Sequence, residues 1–282
     1  MTFYKYAAES GIKILENLKL KVSPPNEFND PFELTPKSKF TLTLDGMLNE
    51  MKANPDSYRD VHAAMKKDGL THTFEEFIKI LPAMHSHKFN EFRERMRKKL
   101  VEMDMQSINE ASRTLGILCV SKTSRSIPMW SYYANHHKGI AVGLDFSKVG
   151  NGLPGIFGKV RYCKSRRGVN PWLVSANAKW LKQARGVIFT KSQDWLHEAE
   201  YRRVFRLKDL IHATPDQNGN RHFFLDIEGS AIREIVLGCR IDEAYEKRIR
   251  TELERRPKTF GHIKLSRCKR HSTRFELEIV SI

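Results

Sequence analysis

The sequence predicts an α+β fold: a mixed or antiparallel β-sheet core with a helical insertion, rather than a repeating βαβ array. Three observations carry this. Short segments of strand character occupy both ends of the 282-residue chain. The texture turns helical from about Leu44 to Gly116. Neither a G-x-G-x-x-G nor a Walker loop occurs, which disfavours Rossmann and P-loop nucleotide sites. The expected organisation is one α+β domain over 1–282, with a helical insertion at 44–115.

The opening reads as a strand from Phe3 to Tyr6. A helix follows from Ser10 or Gly11 through Leu18, capped by Ser10, with Ile12, Leu15 and Leu18 at helical spacing. Leu20 to Val22 is a short strand. Pro24, Pro25 and Pro31 make the segment Ser23–Glu33 an ordered loop, because proline fits neither a regular helix nor a central strand. The clearest piece of the insertion carries Phe89, Phe92, Met96, Leu100 and Met103 on one stripe, with Arg93, Arg95, Arg97, Lys98 and Lys99 on the rest. That pattern suits a core-facing helix with a solvated basic face, or a helix that tracks a phosphate backbone. Strands resume at Ile117–Ser121, Ile140–Phe146 and Gly158–Cys163. An amphipathic helix spans Trp172–Val187, with Leu173, Trp180, Leu181 and Ala184 inward. A strand begins near Glu198. Others cover Phe223–Ile227 and Ile232–Leu237. Asp242 caps a helix through Leu253 whose Tyr245, Ile249 and Leu253 share a face. His262–Leu265 and Phe275–Val280 complete the sheet.

Composition narrows the class. At 40% hydrophobic residues the chain can bury a core. No segment approaches the ~20 apolar residues that span a bilayer, and the N-terminus lacks a secretion-signal layout. Cys119, Cys163, Cys239 and Cys268 are scattered, with no C-x-x-C pair. This argues against a cysteine zinc site and suits a reducing cytoplasm. The net charge of +16 favours an anionic partner: nucleic acid, a phosphate-bearing cofactor or an acidic protein. A charge that serves only solubility is the plainer alternative.

Four segments could carry chemistry. In Trp195–Arg206, Glu198 and Glu200 stand two apart at the mouth of the expected strand, so alternation puts both carboxylates on one face. Arg202 continues that face, and Arg203 and Arg206 follow. Two close carboxylates resist joint ionisation unless cations compensate. A polar site and a solvated strand end both fit. In Tyr4-Lys5-Tyr6, two aromatics flank a cation, either as a site or as an edge strand with packed tyrosines. In Asn26–Glu33, Asn29 and Asp30 can bond their own backbone, with Phe28 and Phe32 anchoring the loop. The same loop can close one wall of a ligand cleft. In Pro128–Ile140, Trp130, Tyr133 and His137 follow at one-turn spacing, and Gly139 stops the helix. This suits stacking of a planar ring, or packing of a helix on a sheet. His136 and His137 without a carboxylate ligand pattern give no metal site.

These segments, in this order, resemble an uncharacterised bacterial family described only as a domain of unknown function. The match rests on Tyr4-Lys5-Tyr6, the Phe28–Glu33 turn, Met129–Tyr133 through His137-Lys138-Gly139, and Trp195 through Arg202. More distantly, the layout is similar to ADP-ribosyltransferases. These open on a strand bearing a polar residue and place the catalytic glutamate late, in several groups as the second acid of a Glu-x-Glu pair. The resemblance implies their split sheet. It implies Glu200 as the catalytic acid, Glu198 as the residue that positions the acceptor, and Lys5 or Tyr6 in place of the family's first-strand Arg or His. The family's Ser-Thr-Ser strand is absent, and Tyr133 would stand in for it. Glu200, Glu198 and Tyr133 are then the catalytic set. Lys5, Tyr6, Asn29, Asp30, Trp130, His137 and Arg202 are the NAD-binding set, with no metal.

The chemistry suits the residues. Cleaving the nicotinamide–ribose bond passes through an oxocarbenium-like state, which a carboxylate on the 2-hydroxyl stabilises. The implied function is an NAD-dependent ADP-ribosyltransferase or NAD glycohydrolase, a toxin or anti-phage effector, acting on a nucleic-acid or protein acceptor. Two alternatives stand beside it. One is a nuclease using His136, His137, Glu198, Glu200 and Lys191. The other is a non-catalytic nucleic-acid-binding protein.

Overall fold

Phe3, Tyr4 and Tyr6 are aromatic residues of high strand propensity, and in the computed structural model they lie in β1 (Thr2–Ala7). The structure describes residues 1–35, 37–38, 111–169, 178–212 and 221–282. Between 59 and 98 it describes 71–80 and the single positions 59, 62, 63, 66, 67, 69, 94 and 98. The aromatic stripe Phe89–Met103 and the first turns of the helix expected from Trp172 lie outside the described residues. The chain divides into two compact units. One holds Met1–Glu33, Glu110–Lys164 and Lys191–Ile282; the other holds Leu34–Asn109 and Ser165–Thr190.

In chain order β1 is followed by α1 (Ile12–Asn17), β2 (Lys19–Val22), β3 (Lys37–Ser38), α2 (Phe74–Ile80) and β4 (Leu115–Ser121). Then come α3 (Ile127–Tyr133), β5 (Ile140–Asp145), β6 (Ile156–Lys159), β7 (Arg161–Cys163), β8 (Gly168–Val169) and α4 (Ala178–Ile188). The last part adds β9 (Thr190–Ser192), β10 (Glu200–Arg206), β11 (Ile211–His212), β12 (Phe223–Asp226), β13 (Ile232–Leu237), α5 (Glu243–Arg255), α6 (Pro257–Phe260), β14 (Lys264–Arg270) and β15 (Leu277–Ser281).

The fold is α+β. Its main sheet has eight strands in the order β15-β14-β13-β5-β1-β4-β10-β6. It is mixed: β13 and β14 run parallel and the other neighbours antiparallel. A three-stranded sheet, β11-β12-β2, belongs to the same unit. In the second unit β3 and β8 pair in parallel. Among the described residues no helix is long and apolar enough to cross a membrane.

Strand alternation sorts the main sheet's side chains into two cores. Phe3, Ile140, Val142, Leu144, Ile235 and Leu237 pack on one face, with Leu15 of α1 and Tyr245 and Ile249 of α5. Tyr6, Ala141, Val236 and Cys268 pack on the other, under Met129 and Trp130 of α3. Asp242 caps α5 as expected, its carboxylate accepting from the Tyr245 amide at 2.8 Å. Ser10 does not cap α1. It lies inside a 3-10 turn, Glu9–Gly11, that precedes the helix, and no side chain caps either segment.

The segment after α3 departs from the expected helix. The helix ends at Tyr133, and Asn135, His136 and His137 all take left-handed backbone, with φ of 44°, 53° and 68°. Asn and His are among the residues that tolerate this region. His137 therefore lies beyond the helix, not one turn further along it. Gly139 is a contact point and not a helix stop. A Cβ there would fall 2.1 Å from the Ala7 carbonyl oxygen, and one on Gly238 would fall 2.1 Å from the His137 carbonyl. Replacing Gly139 by alanine must push β1 from its neighbour. Gly139→Ala is expected to cost about 1–3 kcal/mol, read as a lower urea midpoint; an unchanged midpoint would show that this approach is not tight.

Candidate active site

The main sheet opens between β1 and β4. These strands pair at one register position, Tyr4↔Ser121. The other end of β4 is bridged to the residue after β2, Ser23↔Ile117, with hydrogen bonds of 2.8 and 3.1 Å. On its far side β4 pairs with β10 along its whole length. The middle of β4 thus borders a gap that Lys5 crosses, its Nζ donating to the Cys119 carbonyl at 3.2 Å. A cleft of about 380 Å³ forms there, within the usual size range of ligand pockets. Tyr4, Lys5 and Tyr6 form one wall and the β4 residues another. Glu27, Phe28 and Asn29 close a third, and Tyr132, Tyr133, Lys191, Glu198 and Glu200 complete it.

The two glutamates converge by a route other than strand alternation. Glu198 ends a 3-10 turn, Gln193–Glu198, and only Glu200 is in the strand. Ala199 between them takes a left-handed conformation, φ 44°, which swings both carboxylates into the cleft. The turn is tied to β4: Ser121 Oγ donates to the Glu198 carbonyl at 2.7 Å and the Lys122 amide to the Ala199 carbonyl at 3.0 Å. The Glu200 amide donates to Tyr162 Oη at 2.8 Å.

Around the acids lies a buried charge network. Lys191 Nζ is 2.6 Å from Glu198 Oε2, 3.3 Å from Glu33 Oε2 and 3.6 Å from Glu200 Oε2. Arg202 has 0% exposure. Its Nε and one terminal nitrogen each donate to Glu200 at 2.9 Å, and its guanidinium also donates to Glu33. Glu198 Oε1 accepts from Tyr133 Oη at 2.7 Å, and Asn29 Nδ2 reaches that Oη at 3.4 Å. Three carboxylates thus meet two cations, with the Lys5 ammonium adding a third along the same wall.

This environment sets the protonation states. Burial raises the Glu200 carboxyl to about 7; Lys191 opposes the shift and Glu198 adds to it. Near neutral pH Glu200 is divided between its two forms. Burial also lowers Lys191, but the Glu200 and Glu198 carboxylates outweigh it, and the ammonium is held above its ordinary range. Burial and then Glu198 raise the Tyr133 phenol, so it stays a hydrogen-bond donor. Burial lowers Lys5 and raises the Cys119 thiol. Arg202, lowered by burial to about 9, remains a cation at neutral pH.

Of the residues singled out in the sequence, Lys5, Tyr6, Asn29, Tyr133, Glu198 and Glu200 line one cleft. Arg202 stands behind Glu200, and Asp30 turns away: its carboxylate accepts from the Phe32 amide at 2.9 Å and shapes the loop. Phe28 lies over the Arg202 guanidinium, 5.6 Å away, as an anchor would. Phe32 is instead 65% exposed. Trp130 is no platform. It is fully buried, and its indole N–H donates to the Ser124 carbonyl at 2.8 Å. His137 stacks on Trp130 and meets Ser131 at 3.2 Å, outside the cleft. The histidines of the nuclease alternative therefore do not join the acids there. Among the described residues, no group of three or more His, Cys, Asp or Glu is placed to hold a metal ion. Sequence reasoning missed Glu33 and Cys119 and gave Lys191 only a part in that alternative. An acid closing a proline-rich turn was the one local sign of Glu33.

Two outcomes follow. Arg202→Ala leaves Glu33, Glu198 and Glu200 to share Lys191 as their buried cation, and is expected to cost about 3–5 kcal/mol in urea unfolding. Glu200 titrates near 7 when folded against an ordinary value of 4.5. The folded state therefore keeps a proton that the unfolded state has released. This contribution is full below about pH 4.5 and is lost as pH rises through about 7. Relative to Glu200→Gln, the wild type should lose stability between about pH 5 and 8; parallel profiles would place Glu200 in water. Compared with protein-family models, curated proteins and solved structures, the chain finds no match, so the reading of the cleft rests on its own residues.

Proposed function

We propose that the protein cleaves NAD at the nicotinamide–ribose bond, as an ADP-ribosyltransferase or NAD glycohydrolase. The observation that carries this is the meeting of the first strand, the α3 aromatics and the late acid pair in one cleft. The cleft suits the reacting half of the dinucleotide. Tyr133 and Phe28 offer rings beside the planar base, and Lys5 offers a cation toward the phosphates. The layout that resembles ADP-ribosyltransferases supports the same reading.

The chain's own residues then divide the work. Arg202 grips both oxygens of Glu200, yet each carboxylate oxygen has a second lone pair. As a carboxylate, Glu200 accepts the ribose 2-hydroxyl and opposes the positive charge that grows on the sugar as the C–N bond breaks. The bonding pair leaves with the nicotinamide nitrogen and neutralises its ring. A water or acceptor hydroxyl, amine or guanidinium forms the new bond to the sugar carbon and releases its proton. Glu198, oriented by Tyr133 and Lys191, orients that nucleophile and takes the proton.

The test is incubation of the full chain with NAD labelled on the adenylate, with nicotinamide release and label transfer to RNA, DNA and protein measured together. Release should rise with pH through about 7 as Glu200 ionises. Glu200→Gln should lower it by about 10²-fold or more, and Tyr133→Phe should lower it less. Neither release nor transfer by folded wild type at about pH 8 would rule the proposal out.

A further inference from the structure

A second cavity, of about 760 Å³, shares no lining residue with the cleft and, unlike the balanced charges there, its charged lining is mostly cationic. It lies at the hairpin joining β14 to β15. Arg240, Arg270 and Arg274 line it against a single carboxylate, Glu276. Arg274 approaches Glu276 at 3.4 Å. Among the described residues the Arg240 and Arg270 guanidiniums have no carboxylate partner. The hairpin loop is built rather than slack. His271 Nδ1 accepts from the Thr273 and Arg274 amides at 3.1 Å each, and the His271 amide closes on the Glu276 carbonyl at 3.0 Å. At its tip Phe275 is 101% exposed. An aromatic ring held in water by a pinned loop, beside two arginines without a carboxylate partner, is costly for solubility and useful for stacking.

We propose that this hairpin face binds single-stranded nucleic acid, the arginines taking backbone phosphates and Phe275 stacking on a base. Guanidiniums with free donors suit phosphate oxygens, and an exposed ring accepts any base, since every base has a π-face. A duplex keeps its bases stacked inside and leaves Phe275 unused, which favours the single strand. The net charge of +16 supplies long-range attraction, and the hairpin supplies a place for it to act. This inference does not depend on NAD chemistry in the cleft.

The probe is a fluorescein-labelled oligothymidylate, followed by anisotropy on the full chain between about 50 and 200 mM salt. Arg240→Gln with Arg270→Gln and Arg274→Gln should weaken binding at least about tenfold and flatten the slope of log affinity against log salt by about 2, at about 0.7 per lost phosphate contact. Phe275→Ala alone should weaken binding about 5- to 160-fold with the slope unchanged. The control neutralises three exposed lysines elsewhere, Lys13→Gln, Lys247→Gln and Lys258→Gln, with folding of every variant checked by its melting curve. Equal losses in the two triple variants would reduce the interaction to net charge and overturn the proposal. So would an absence of binding at about 50 mM salt, a Phe275→Ala variant with full affinity, or tighter binding of a duplex of the same length.

Discussion

Everything around the cleft depends on one balance of buried charge. Glu33, Glu198 and Glu200 are held with Lys191 and Arg202, and each of the five is at most 6% exposed. Charges removed from water at this depth must be compensated nearby, since desolvation of an unpaired ion costs several kcal/mol. The compensation joins three distant parts of the chain: the turn at Glu33, the segment from Lys191 through Glu198, and β10. The network is thus a constraint on geometry before it is a source of stability. Removing one member strands the others, so the cleft walls are coupled through their charges.

That constraint also sets how the two cleft acids are held and how Glu200 titrates. Both oxygens of Glu200 are engaged by Arg202, which fixes the carboxylate's plane, while burial brings its titration to about 7. Glu198 is held differently, by Lys191 on one oxygen and the Tyr133 hydroxyl on the other. Two carboxylates one residue apart therefore have unlike partners. The opening between β1 and β4 makes this usable. A fully paired sheet would have filled the same space with ladder hydrogen bonds, whereas a single pair at Tyr4↔Ser121 leaves the strand middles facing a cavity.

The chain segregates its charge. Its buried cleft balances carboxylates against lysine and arginine although the sequence carries a net +16, and the β14–β15 hairpin presents three arginines against one glutamate. Low dielectric magnifies the cleft's interactions, while the surface arginines act through water and respond to salt. A cationic hairpin and a charge-balanced cleft are compatible because the two work over different distances.

Alternation and spacing sufficed for most element positions: β1, β2, β4, β5, β13 and the Asp242-capped α5 stand where periodicity puts them. Local sequence also identified the segments that line the cleft, since an i, i+2 acid pair and a Tyr-Lys-Tyr strand are visible within a few residues. It erred where the outcome depended on a neighbour far along the chain. Trp130 and Tyr133 look equivalent as aromatics on one short helix, yet the first is sealed into the core beneath the sheet and the second faces the acids. Glu33 reads as a turn residue until Arg202, 169 positions away, meets it. Spacing reports only which side chains share a local face. Which faces then meet is decided by strand order, by a gap in one strand pair and by the need of each buried charge for a partner, and these arise only when β1, β4 and β10 lie side by side.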